Sequence, residues 1–164
     1  SPSDLLAQKG NTLLAAGDQE GAREAFLQAL DLDERHPASM LGLMKIFLLQ
    51  GNSADAYAIF RSFPARPEYN EAERLIPLMK AMEDFRNDRL PTENDLDAAF
   101  VNSIRLASRG NTLASIDGLL DILRQDKHYR KDRARSVLLA LLDLLDQHDE
   151  LTRQYRTELA SILF

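Results

Sequence analysis

Two stretches of this chain repeat one another at an interval of 34 residues, and that interval restricts the fold more than any other feature: Gly17-Asp18 returns as Gly51-Asn52, Ala22 as Ala56 and Phe26 as Phe60. Between these landmarks apolar residues recur at intervals of three and four, and strict alternation is nearly absent, which is the pattern of amphipathic helices rather than strands. Gly17-Asp18 therefore separates a helix over roughly 4–16 from one over 19–31. Gly51-Asn52 separates a helix opened by Pro37, where a missing backbone donor costs nothing, from a shorter one ended by Phe63-Pro64 and Pro67. Leu6, Gly10, Leu13 and Leu14 share a face of the first helix, and Ala22, Phe26, Ala29 and Leu30 a face of the second. Small residues let two backbones approach, and the phenylalanine fills the space that remains. Such a hairpin has an apolar face that it cannot bury alone; a second hairpin stacked on it provides the cover.

After Ser62 the register slips. A linking helix is expected over about 68–87, carrying Leu75, Met79, Met82 and Phe85. Pro77 lies inside it, and a kink there is preferred over two short helices. Pro91 and Thr92 stop and restart the chain, with Thr92-x-x-Asp95 as a partial capping box. A third hairpin over about 93–126 turns at Gly110-Asn111, with Leu96, Phe100, Ile104 and Ala107 before the turn and Leu113, Ile116, Leu119, Leu120 and Leu123 after it. That turn stands 59 residues after Gly51, outside the 34-residue series, because the linking helix displaces it. Gly-Asn-Thr-Leu occurs at 10–13 and at 110–113, once inside a helix and once at a turn, and is read as coincidence. Terminal helices follow over about 131–163, bearing Val137, Leu138, Leu141, Leu142 and Leu145, then Leu151, Tyr155, Leu159 and Ile162. The last of them is suited to cap a repeat array. The expectation is a single all-α domain over 1–164, an α-α superhelix of about nine helices with hairpins at about 4–33, 37–62 and 93–126. A coiled coil competes for any one helix, but frequent Gly and Pro breaks count against it for the whole.

The residues that carry chemistry are sparse. Cysteine is absent, which excludes disulfides, thiol nucleophiles and thiolate metal sites within this sequence. His36, His128 and His148 are scattered, belong to no His-Glu-x-x-His arrangement, and are expected at the surface. Asp31, Asp33 and Glu34 lack the glycine and spacing of a calcium loop. No Gly-x-Gly-x-x-Gly or Walker-type loop is present, and none of Ser62, Ser103, Ser108, Ser115 and Ser161 sits in a nucleophile elbow. No catalytic, cofactor-binding or metal-ligating residue is assigned, and the chain is not expected to be an enzyme. Its 26 acidic and 20 basic residues give a net charge of −6, which disfavours nucleic acid as a partner. Tryptophan is absent, and Tyr57 and Tyr69 have no basic neighbour, which counts against a base-stacking surface. Arg124 to Arg135 runs the other way, with six cations against Asp126 and Asp132. A solvated turn and helix flank is the simplest reading, and a surface for an acidic partner the sharper one. No apolar run of about 18 residues exists to span a membrane. Ser1-Pro2-Ser3-Asp4 has no signal-peptide character and fits a piece cut from a longer protein.

Shape remains as the source of function. Stacked hairpins present a groove lined by the first helix of each pair, and such grooves bind peptides or helices. Ala7, Asn11 and Gly42 are candidate groove residues; Met40, Met44, Met79 and Met82 are either core filling or adaptable contacts. Residues 4–33 resemble the tetratricopeptide family in Leu6, Gly10, Leu13, Gly17, Ala22, Phe26 and Ala29, with aliphatic residues in place of the consensus tryptophan and tyrosine and Glu34 in place of its proline. Lys9-Gly10-Asn11 is similar to the start of family members that clamp the acidic tails of large chaperones. Asn11 matches one clamp residue, but Ala7 and Gly42 stand where a lysine and a second asparagine belong, so that activity is not expected. The segment Leu119-Leu120-x-Ile122-Leu123-Arg124-x-Asp126-Lys127, then Tyr129-Arg130-Lys131-Asp132-x-Ala134-Arg135, and the closing Tyr155-Arg156-x-x-Leu159-Ala160-x-x-Leu163-Phe164 resemble bacterial thioredoxin-like proteins with a tetratricopeptide extension, the chaperedoxins. Asp146-Gln147-His148-Asp149 replaces the glycine usual between their last helices. The resemblance implies a cytoplasmic protein-interaction domain whose partners are unfolded clients or the folding machinery, with redox chemistry left to a thioredoxin domain outside these residues. A generic repeat scaffold, for self-assembly or for docking one dedicated partner, is the alternative.

Overall fold

A computed structural model of the chain describes residues 1–164 and contains ten α-helices and no strand. They are α1 (Pro2–Ala15), α2 (Gln19–Leu32), α3 (Pro37–Leu49), α4 (Ser53–Phe60), α5 (Glu68–Glu73), α6 (Ile76–Arg86), α7 (Asp95–Ser108), α8 (Thr112–Gln125), α9 (Tyr129–Leu144) and α10 (Glu150–Leu163).

One local device ends α1, α3 and α7. Gly17, Gly51 and Gly110 take φ of 86°, 77° and 81°, a left-handed conformation that costs a residue with a Cβ about 1–2 kcal/mol. Each glycine N–H donates three residues back and the next N–H five residues back: Gly17 to Leu14 and Asp18 to Leu13, Gly51 to Leu48 and Asn52 to Phe47, Gly110 to Ala107 and Asn111 to Leu106. This is the Schellman arrangement, which satisfies carbonyls that a helix end otherwise leaves open. The residue after the glycine then starts the next helix. Asp18 Oδ1 accepts from Gly21 N at 2.9 Å and Asn52 Oδ1 from Asp55 N at 3.3 Å. α6 closes the same way with Asp88 in the left-handed position, at φ 56°.

Phe26 is fully buried among Ala7, Ala22, Leu43 and Ile46. Its ring lies between two glycine backbones: a Cβ on Gly10 would stand 2.6 Å from Phe26 Cε1, and one on Gly42 would stand 2.5 Å from Cε2. The contact locks the first hairpin onto α3. Phe60, its counterpart by phase, is only half-buried and packs on Tyr57 and Tyr69, with ring centroids 6.4 and 5.5 Å away. α3 is the spine of the molecule. Nine of its 13 residues are buried, and it packs on α1, α2, α4, α5 and α9. Met40, Met44, Met79 and Met82 are all buried, so they fill the core rather than offer adaptable surface.

Three expectations are corrected. The linking segment is two helices, α5 and α6, rather than one kinked helix. Pro77 occupies the first turn of α6 and has no N–H to continue the ladder into α5, so the helix breaks at Arg74–Leu75. The cap of α7 is Asn94, not Thr92: Asn94 Oδ1 accepts from Asp97 N at 2.8 Å. His36 is buried rather than at the surface; its Nε2 lies 2.7 Å from Asp4 Oδ1 and its Nδ1 2.9 Å from Ser39 Oγ, so it joins the starts of α1 and α3. That hydrogen bond, together with one from Ser1, holds the Asp4 carboxyl down at about 2. No helix is long and apolar enough to cross a membrane.

Candidate interaction groove

The C-terminal ends of α1, α3 and α9 meet the turns at Gly17 and Gly110 and the loop of residues 145–149 around a groove of about 560 Å³. Leu14, Leu49 and Leu145 supply apolar wall. Leu113 and Leu151, also on the wall, are 44% and 38% exposed, large apolar side chains left half-uncovered. Between them stand amide and basic groups: Asn11, Gln19, Gln147, His148 and Lys45. Lys45 is held by Glu71 at 3.2 Å. The far wall is fixed by Gln147, which donates to the carbonyls of Leu142 and Leu145 at 2.8 and 2.7 Å and accepts from Arg156 Nε at 2.9 Å. Gln147 thus satisfies carbonyls at the end of α9 that a glycine-led turn would otherwise serve. A wall fixed this way needs little ordering when something binds.

Of the candidate groove residues, Asn11 lines the groove and remains exposed, whereas Ala7 and Gly42 are buried against Phe26. The positions equivalent to a clamp lysine and second asparagine therefore lie in the core between α1, α2 and α3, where a charged side chain would have no water. Three of the six cations of the basic segment are paired within the molecule. Arg124 is paired with Asp121 and Glu158, Arg130 with Asp97 at 2.7 Å and Glu93 at 3.0 Å, and Arg133 with Asp84 at 2.6 Å. These pairs tie the α8–α9 junction to α6, α7 and α10, and leave Lys127, Lys131 and Arg135 outside any ion pair.

At the same junction lies a buried polar cluster with no clear sequence signal. Asp97 is fully buried and accepts four hydrogen bonds: from Tyr129 Oη at 2.6 Å, from Arg130 Nε and Nη2 at 2.8 and 2.7 Å, and from Glu93 N at 3.0 Å. The Arg130 guanidinium holds the Asp97 carboxyl far below the usual carboxylate range, against the opposing effect of burial. Burial, then the neighbouring carboxylate, pushes the Tyr129 hydroxyl upward. Arg130, Lys131 and Asp132 are all left-handed, with φ of 41°, 55° and 64°. For residues with a Cβ that is a cost of about 1–2 kcal/mol each, opposed by the Asp97 contacts. The tyrosine and the carboxylate are spent on each other and on Arg130, so the cluster is structural. Tyr155, hydrogen-bonded to Asp117 at 3.0 Å, is likewise pushed up to about 12 by burial and by that carboxylate. No three His, Asp or Glu side chains are gathered as a metal would need.

A family model described as tetratricopeptide repeat matches residues 72–164, more than half of the chain. The chain belongs to the tetratricopeptide repeat family. No curated protein matches it. The match starts in α5 and runs through α10, the part in which the 34-residue phase is lost; the phase itself is carried by the hairpins before it. Tetratricopeptide repeats generally mediate protein–protein interaction, and their family is generally non-catalytic. The groove beside α1 and α3 is one concave surface of this tetratricopeptide-repeat protein.

Proposed function

We propose that this tetratricopeptide-repeat chain is the helical interaction domain of a thioredoxin-like chaperone or co-chaperone of the cytoplasm, and that unfolded clients or the folding machinery bind in the groove between α1, α3 and the 145–149 loop. The observation that carries this is the lining itself. Leu113 and Leu151 offer half-exposed apolar footholds for side chains that an unfolding protein uncovers. Asn11 and Gln19 stand beside them, and amide side chains can both donate to and accept from an unpaired backbone. The thioredoxin-like affiliation rests on the likeness of residues 119–164 to the chaperedoxins.

The test is suppression of light scattering by thermally aggregating citrate synthase, together with capture of chaperonin by the immobilised chain. The wild-type chain should do one or both, and the Leu113→Asp/Leu151→Asp variant should do neither while keeping its helical circular dichroism. Failure of the wild type in both assays, or full activity of the variant, overturns the proposal. The scaffold alternative is favoured by one observation, the exposure of Leu5, Leu27 and Leu32 on the N-terminal hairpin. It requires concentration-dependent sedimentation, and a strictly monomeric chain removes its self-assembly form.

A further inference from the structure

A second depression, of about 450 Å³, lies between α4 and α6 and shares no residue with the groove beside α1 and α3. Its apolar part is Tyr57, Ile76 and Met79. Tyr57 is 47% exposed, a large ring uncovered on the surface of a folded domain. Around it stand Arg61, Lys80 and Arg86, with Glu83 as the one carboxylate in the lining. None of these three cations belongs to any of the molecule's ion pairs. Two of them are nonetheless positioned, by neutral contacts that leave the charge unspent. The Arg61 guanidinium lies 5.8 Å from the Tyr57 ring centroid, and Arg86 Nη1 reaches Ser53 Oγ at 3.5 Å. A concentration of unpaired positive charge around an uncovered aromatic ring is out of keeping with a chain of net charge −6.

We propose that the α4–α6 depression docks an acidic segment of another protein, which seats one large apolar side chain on Tyr57 and Ile76 and sets carboxylates against Arg61, Lys80 and Arg86. Charge complementarity selects this occupant. Guanidinium groups accept carboxylates through paired N–H donors, and a positive rim on an acidic protein attracts a negative segment over short range while the rest of the surface repels it elsewhere, which fixes where it lands. Nucleic acid is disfavoured because three cations around one exposed ring are too few to track a polyphosphate backbone.

The probe is a fluorescein-labelled synthetic peptide of glutamates around a single phenylalanine, followed by anisotropy, with the lysine analogue as its charge-reversed control. The acidic peptide should bind the wild-type chain, more weakly as salt is raised, and the lysine analogue should not. Arg61→Glu/Lys80→Glu should weaken the acidic peptide about tenfold or more and should confer binding of the lysine analogue. Both side chains are exposed, so an unchanged urea midpoint will confirm the fold of this variant. Tyr57→Ala should weaken binding without changing its salt dependence. Leu113→Asp/Leu151→Asp should bind the acidic peptide as the wild type does, so that a failure here and a failure of the client-binding groove are separately readable. The proposal is overturned if the acidic peptide does not bind, if it binds both charge variants equally, or if a single-stranded oligonucleotide binds more tightly at the same residues. It is also overturned if Arg61→Glu/Lys80→Glu abolishes a dimer seen in sedimentation, which would assign the depression to a second copy of the chain.

Discussion

Gly42→Ala sets two effects of opposite sign against each other. In an exposed helix interior alanine is more favourable than glycine by about 0.8–1.0 kcal/mol, and Gly42 lies inside α3 with no left-handed backbone to explain the glycine. Here the added methyl would stand 2.5 Å from Phe26 Cε2 and 2.7 Å from Cε1, about 1 Å inside the optimum for two carbons, roughly 3.5–4.0 Å. The ring has nowhere to retreat. It is fully buried, and Gly10 is close enough that a Cβ there would stand 2.6 Å from Cε1. Overpacking of this kind costs about 1–3 kcal/mol, and a rigid ring held on both sides belongs at the upper end. Subtracting the propensity gain leaves a net destabilisation of about 2 kcal/mol.

Urea unfolding followed by circular dichroism measures this directly. With a slope of about 2 kcal/mol per molar urea, the midpoint should fall by about 1 M. A second substitution makes the cause specific. Phe26→Leu shortens the group that the new methyl strikes, so Gly42→Ala in that background should cost less than in the wild type, by about 1 kcal/mol. A raised midpoint in Gly42→Ala would show helix propensity acting alone, and strict additivity with Phe26→Leu would show that the ring is not the obstacle. Either result refutes the glycine–phenylalanine–glycine contact as the join between the first hairpin and α3.

Phe26→Ala should cost roughly 3–5 kcal/mol through the cavity it leaves; a near-wild-type urea midpoint would place the ring outside the core. Gly17→Ala and Gly51→Ala share the left-handed penalty of about 1–2 kcal/mol, but a Cβ at Gly17 meets nothing, whereas one at Gly51 strikes the Ser108 carbonyl, with its carbon 2.7 Å and the Ser108 Cα 3.1 Å away. Thermal melts should therefore show a clearly larger loss at Gly51, and equal losses would deny the close approach of the α3–α4 turn to α7. Asp97→Asn should cost about 3 kcal/mol, the low end of the range for breaking a buried ion pair because Arg130 is partly exposed. The folded-state carboxyl of Asp97 titrates below its unfolded counterpart, so its contribution is complete above about pH 5 and is lost as pH falls through the acid range. The wild type should accordingly lose more stability than Asp97→Asn between about pH 5 and pH 3, and equal losses would show that Asp97 is not held by Arg130.

The hairpins were legible because their determinants are local. A left-handed glycine followed by Asp or Asn encodes a helix end and a helix start within two residues, and Gly110-Asn111 announces itself as clearly as Gly17-Asp18 even outside the 34-residue phase. Small residues are ambiguous in sequence, since glycine and alanine carry no polarity that says inside or outside. Ala7 and Gly42 looked like groove positions for that reason, and only the Phe26 ring decides that they are core. Polar residues whose partners lie far along the chain were not legible either. His36 meets Asp4 across 32 positions and Asp97 meets Arg130 across 33, and neither pairing leaves a local trace. The left-handed run Arg130–Lys131–Asp132 contains no glycine or asparagine, so a helix start near 131 was the natural expectation. Charge runs mislead in both directions. Three of the six cations of 124–135 are paired, whereas Arg61, Lys80 and Arg86, well separated in the sequence, converge on one depression.

The two surfaces are mechanically linked through a turn rather than through a helix face. Gly51 closes α3 and opens the way to α4, which forms one side of the α4–α6 depression. Gly51 also lies against the Ser108 carbonyl, while a Cβ on Gly110 would come within 3.3 Å of the Leu49 carbonyl. Leu49, Gly110, Thr112 and Leu113 belong to the wall of the larger groove. The turn-to-turn contact between Gly51 and Gly110 therefore sets the groove wall and the position of α4 at once, in a place where backbone meets backbone and no side chain can yield. The first helices of the first two hairpins meet the groove toward their C-terminal ends, where a helix is otherwise prone to fray. The glycines at 51 and 110 thus serve two ends: they turn the chain, and by lacking a Cβ they let the backbones of the two hairpins approach closely.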